Sequence, residues 1–185
     1  MQKEKVFTGN NEEEVWKKLA ADIKANEESV EYHAVLIQNN SGITLDIDID
    51  PGGGFENGDS STRFTSDISP TSFRLAIHPQ NFVDDIGKLL GLEDVIIGYP
   101  EFDKKFIIKT NNGGKTQTIF AEKDCREILE SLDDFTLETT GNDENYNGVQ
   151  NQLILNIDEG ITDTNLLKKI YHAFFRIWTG IENIS

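Results

Sequence analysis

The chain holds one cysteine, Cys125, which excludes an internal disulfide and a cysteine-built zinc cluster. It is also poor in bases, with 17 Lys and Arg against 33 Asp and Glu, for a formal charge of −16. A cut after Leu92 leaves 8 bases and 16 acids before it and 9 and 17 after it, so each side carries −8 and no acidic tail accounts for the charge. Such a field repels phosphates and anionic bilayers, so nucleic acid and membrane are not expected partners, whereas a basic protein is. No apolar run is long enough to span a bilayer, and the N-terminal stretch does not read as a signal peptide, so a cytoplasmic location is expected. Linkers rich in Pro or Ser and low-complexity segments are missing too. His33, His78 and His172 fall in different predicted elements, none in a metal-ligand spacing, and there is no Gly-x-Ser-x-Gly elbow. No cofactor is expected.

What the chain does have is periodicity. Hydrophobic residues make up 37% and charged residues 27%, a balance that supports a folded core. Asn10 and Asn11, followed by Glu13 and Glu14, resemble a capping box, and Val15, Trp16, Leu19 and Ile23 then recur at helical spacing over about residues 12–26. Four strand-like runs follow, "VEYHAVLIQ", "GITLDIDID", "STRFTSDI" and "SFRLAIH", and the turn-like breaks between them predict an antiparallel meander. A short helix is expected over residues 81–90, with Phe82, Ile86 and Leu89 inward and Gly91 as terminator. "DVIIG" and "KKFIIKT" read as strands flanking "YPEFD". A helix around 117–132 would align Cys125, Ile128, Leu129 and Leu132, making Cys125 an inert buried thiol. Two further strands, "FTLETT" and "QLILNID", flank a polar loop. A last helix from Thr162 or Asp163 has the widest apolar face, including Leu167, Ile170, Phe174, Ile177, Trp178 and Ile181. Clustered strands with helices beyond them predict an α+β fold. The expectation is one domain over residues 1–185, an antiparallel sheet with helices mainly on one face, whose halves 1–92 and 93–185 share a core.

"TLDIDIDPGGGFENGD", residues 44–59, spaces Asp46, Asp48 and Asp50 like the first ligands of an EF-hand loop. The likeness ends there, because Pro51 stands where the turn glycine belongs and Asn57 where the bidentate glutamate belongs. Strict alternation with Leu45, Ile47 and Ile49 is the period of a half-buried strand. A symmetric hairpin register sets Asp48 opposite Arg63. The stripe is then a solvated acidic face, and its functional version docks a basic partner or a loosely held cation. "FIIKTNNGGKTQTIF" imitates a phosphate-binding loop, but its glycine spacing is too short.

The polar side of the last helix gathers Lys168, Lys169, His172 and Arg176, the densest basic face in the chain. Cations near a helix C-terminus suit the macrodipole. The functional version of this face docks an acidic surface on another protein, or on the aspartate strand of a second copy in a closed dimer.

"IGYPEFDKKFIIKTNN", residues 97–112, carries Gly98, Pro100, Glu101, Phe102, Asp103 and Phe106 in the pattern Gly-x-Pro-Glu-Phe-Asp-x-x-Phe. This block, with the elements after it to about residue 180, resembles a family of uncharacterised bacterial proteins. The resemblance implies a strand, a helix, two strands and a long last helix, and it brings no activity. Relatives of that kind often place the domain after membrane-spanning helices, which this chain lacks. Phe102 and Phe106, four apart, would fill one pocket while Glu101 and Asp103 stay wet. The functional expectation is a noncatalytic interaction domain; alternatives are a small-ligand or cation-binding domain, or a hydrolase with an acidic site.

Overall fold

In a computed structural model of the chain, residues 5–26, 29–39, 41–49, 60–80, 92–140 and 151–183 are described. The expected helix 81–90, Asp50 and the polar loop 141–150 lie outside the described residues. Strand β1 (Lys5–Gly9) runs into helix α1 (Glu12–Ala25) through Gly9, where a Cβ would meet the Cβ of Glu14 at 2.8 Å. Asn11 Oδ1 accepts the Glu14 N–H at 3.0 Å, and Glu14 Oε2 accepts the Asn10 N–H at 2.9 Å, so the cap is reciprocal. After α1 the chain returns as β2 (Glu31–Gln38), parallel to β1. Then come β3 (Ser41–Ile49) and β4 (Ser60–Asp67), each antiparallel to the strand before it.

Here the four-strand meander ends one strand early. β5 (Leu75–Pro79) does not pair with β4; residues 68–74 carry the chain away, and β9 (Gln152–Ile157) takes the edge of β4 instead. The Ile68 N–H donates to the Asn151 carbonyl at 2.9 Å and prolongs that pairing by a rung. The full order is β1-β2-β3-β4-β9-β8-β5-β7-β6, where β6 is Glu93–Asp94, β7 Phe106–Thr110 and β8 Phe135–Thr140. Because β5 sits between β8 and β7, the cut after Leu92 does not separate two units. The expected "DVIIG" strand does not form beyond its first residue: only Asp94 joins the two-residue β6, after which the chain leaves the sheet.

The other helices are α2 (Pro100–Lys105), α3 (Gly113–Ile119), α4 (Lys123–Glu130) and α5 (Thr164–Glu182). The single helix expected around 117–132 is broken at residues 120–122. Phe120 drops fully into the core, and the Arg126 guanidinium, stacked 3.7 Å from the Tyr99 ring centre, donates to the Phe120 and Ala121 carbonyls. Lys105 Nζ donates to the Glu130 carbonyl and, at 3.1 Å, to that of Leu132, stopping α4 with a cation at its negative end.

The five helices among the described residues pack on one face of the sheet, onto Leu36, Leu45, Phe64, Leu155, Leu137, Ile77 and Ile108 from strands β2 to β7 in sheet order. α5 crosses the middle of that face, with the Phe174 and Phe64 ring centres 5.8 Å apart, and Tyr171 meets Trp16 of α1 at 5.9 Å. Thr62, fully buried, fixes the approach to α5: its hydroxyl donates to the Glu159 carbonyl at 2.7 Å and accepts the Ile161 N–H at 2.8 Å. Asp163 then caps the helix, accepting the Asn165 N–H at 2.8 Å.

Phe102 and Phe106 are 0% and 2% exposed, with ring centres 4.8 Å apart. Phe120 adds a third ring 5.4 Å from Phe102, and Phe135 a fourth 5.1 Å from Phe106. Phe102→Ala and Phe106→Ala should each lose about 3–5 kcal/mol, the range for a buried aromatic truncated to alanine. Urea unfolding measures this; losses under about 1 kcal/mol would show that the rings are not core.

Candidate functional site

Alternation along the strands decides what the other side of the sheet presents. From β2 to β8 it carries Glu31, His33, Asp46, Asp48, Asp67 and Glu138, with Arg63 as the arginine among them. Apolar side chains here are few and half-buried, such as Val35 and Ile154. β5 differs, being buried on both faces.

The register places these groups in rows. One row runs His33, Asp46, Arg63, Asn156 and Thr136. His33 Nδ1 lies 2.5 Å from Asp46 Oδ1, Arg63 Nε donates to Asn156 Oδ1 at 3.3 Å, and Asn156 Nδ2 donates to Asp158 Oδ1 at 3.0 Å. Arg63 therefore faces Asp46, not Asp48 as the symmetric hairpin implied. The ladder closes at Ile49↔Ser60, one residue earlier on each strand, and this shifts the pairing by two. The next row sets Asp48 between Glu31 and Ser61. Two carboxylates thus stand directly opposite each other on neighbouring strands, and neither has an ion-pair partner among the described residues. Cross-strand like charges destabilise a sheet, so this position works against the fold. Among the described residues no three His, Cys, Asp or Glu side chains gather as a metal site.

The basic face of α5 lies on the helical side. Lys168 pairs with Glu13 at 2.5 Å, His172 Nδ1 lies 2.7 Å from Glu12 Oε2, and Arg176 holds Glu122 through both Nε and Nη2. Lys169 points outward and is exposed. Lys168, Lys169 and His172 also line a cleft of about 330 Å³ with Glu12, Asp124, Glu127 and Ile128. Glu12 and Glu13 were legible as first-turn acids of α1, but nothing local marks them as partners of a helix 155 residues away in sequence. The acidic strand and the basic helix face look out from opposite sides of the sheet. A closed dimer pressing one onto the other twice would need them side by side.

The other singled-out residues have structural places. Asp103 is half-buried, and its two carboxylate oxygens accept the Ile97 and Gly98 N–H groups, each at 2.9 Å. Gly98 has φ 87°, a left-handed conformation natural to glycine, and Pro100 opens α2. The phosphate-loop imitation is a helix cap, in which Asn112 Oδ1 accepts the Lys115 N–H at 3.1 Å, and β7 is antiparallel to both its neighbours. His78 is buried on β5 with Nδ1 3.1 Å from the Pro79 carbonyl. Burial, with Glu122 beside it, pushes the Cys125 thiol up to about 11.

Among the described residues two carboxyls are held below their ordinary values. For Asp22, burial acts in the opposite direction but is outweighed by hydrogen bonds from Lys5 at 2.7 Å and the Tyr32 hydroxyl at 2.8 Å, together with the charge of Lys5. For Glu122 the Arg176 hydrogen bond is the main cause, with burial again opposing. Compared with models of known families, with characterised proteins and with solved structures, the chain matches none.

A depressed carboxyl contributes stability that is complete above its unfolded value and is lost as pH falls through the folded one. Urea stability should therefore hold above about pH 5 and decline once the pH drops below the ordinary values of 3.8 for Asp22 and 4.5 for Glu122. The double variant Asp22→Asn, Glu122→Gln should flatten that decline; an unchanged slope would remove these groups from the account. Ellman's reagent should leave Cys125 untouched in the folded chain and titrate it fully in denaturant, and rapid labelling of the native protein would contradict its burial.

Proposed function

We propose that the chain is a noncatalytic cytoplasmic binding domain whose open sheet face docks a basic protein. The observation carrying this reading is the pair Glu31 and Asp48, opposed across β2 and β3 without a neutralising partner among the described residues. A fold that retains an opposed like-charge pair where a neutral one would be more stable keeps it for another purpose. The field supports it: the chain is at −16, and the helical side draws much of its own charge into internal pairs. A cationic partner would relieve the Glu31–Asp48 repulsion on docking and would be steered by the field. No helix among the described residues is long and apolar enough to cross a membrane. The resemblance of residues 97–180 to the uncharacterised bacterial family belongs to the same proposal and adds no activity.

The double variant Glu31→Gln, Asp48→Asn separates the two sides of this argument. It should raise folding stability by about 0.2–1 kcal/mol, because a repulsion is removed. A basic protein retained from source-cell extract by the immobilised parent should bind the variant about tenfold more weakly, and should leave the parent as salt rises. Retention that is equal for both chains, or indifferent to salt, would overturn the reading.

A further inference from the structure

Ile96 is 86% exposed, against 52% for Val30 and 48% for Val6, the next most exposed large hydrophobics among the described residues. A single exposed aliphatic residue is by itself ordinary. What sets this one apart is how firmly its backbone is held. On its N-terminal side the Val95 N–H donates to the Ile108 carbonyl at 2.9 Å, tying the loop to β7. On its C-terminal side Asp103 takes the Ile97 and Gly98 N–H groups, and Gln117 Nε2 donates to the Ile97 carbonyl at 2.8 Å. Ile97 itself is 2% exposed and anchored in the core. The backbone on both sides of Ile96 is thus fastened to three different elements, and its side chain is held out into water.

Presenting an isoleucine this way leaves apolar surface exposed and offers the fold nothing in return. It does remove the ordering cost that a flexible loop would bear on binding, the condition under which one residue can anchor an interface. The surroundings specify the partner. Exposed Glu93 and Glu101 flank the loop without an ion pair among the described residues, while Asp94 is matched by Lys109 at 2.6 Å. We propose that residues 95–99 form a protein-docking element anchored by Ile96, and that its partner presents an apolar socket rimmed by lysine or arginine. This surface stands independently of the open-face reading. β6 is the far edge of the sheet, six strand spacings from β3, or roughly 30 Å.

The test places the photo-crosslinker p-benzoylphenylalanine at position 96 of the full chain, with the same probe at Val6 on the opposite edge as control. Each is irradiated in source-cell extract. The proposal expects one discrete adduct from position 96 and not from position 6, with the crosslinked peptide lying among apolar and basic residues. Unlabelled parent chain should compete for it, whereas Ile96→Asp should compete about thirtyfold less well, the loss typical of one hot-spot residue. Ile96→Asp should keep the parent's melting temperature, since the side chain packs against little, so failure to compete cannot be put down to unfolding. No adduct, the same adduct from position 6, an adduct within or between copies of this chain, a socket without basic residues, or full competition by Ile96→Asp would each overturn it. Glu31→Gln, Asp48→Asn should leave the adduct unchanged, so failure here and failure of the open-face reading are distinguishable.

Discussion

The pairing of β4 with β9, from Thr62↔Ile157 to Asp67↔Gln152, joins strands from opposite ends of the chain and gives α5 a surface to lie on. Without it the order would split into a four-stranded sheet, β1-β2-β3-β4, and a five-stranded one, β9-β8-β5-β7-β6, and the 19-residue α5 would lose the continuous face it crosses. Thr62 shows how tightly the join is specified. Its hydroxyl serves both a donor and an acceptor of the 159–161 turn, and Gly160 passes where a Cβ would come within 2.8 Å of the Asp48 carbonyl. A small polar residue on one strand and a glycine beside it set the line along which α5 approaches Phe64.

Once the helices occupy one side, the charge pattern has little freedom left. On the outside of α5, Lys168 and Arg176 meet acids of α1 and of the α3–α4 connection, while Lys169 stays exposed. The acids of the strands alternate to the other side, where Arg63 balances only part of them among the described residues. Among the described residues the open side thus keeps acids without a cation, although charge is spread evenly along the sequence. Exposed pairs of this kind contribute little to stability individually.

The Gly-x-Pro-Glu-Phe-Asp-x-x-Phe block now reads as one device. Phe102 and Phe106 enter the core, Pro100 starts the short helix, and Gly98 allows the left-handed turn. Asp103 closes the turn by taking two backbone N–H groups that would otherwise need water. Each position in the block is occupied by a residue suited to its place, and the by-product is the rigid display of Ile96.

Much of this was legible in the chain alone. Caps at Asn11 and near Asp163, the alternation through Asp46 and Asp48, and the apolar stripe of α5 depend on interactions a few residues apart, and such signals survive in any context. The α+β class followed from them. Strand order did not, because nothing near β4 says whether its free edge will meet β5, seven residues on, or β9, more than eighty residues on. The shift of Arg63 from Asp48 to Asp46 is similar: one residue more or less at each end of the turn moves a pairing by two. The break at Phe120 was hidden because Cys125, Leu129 and Leu132 keep helical spacing on their own side of it. The sequence by itself determined the elements and which side of each is apolar, since these are local properties. Which acids find cations, which pair stays opposed, and which isoleucine is left outside were decided by tertiary structure alone, because each depends on segments brought together only when the sheet closes.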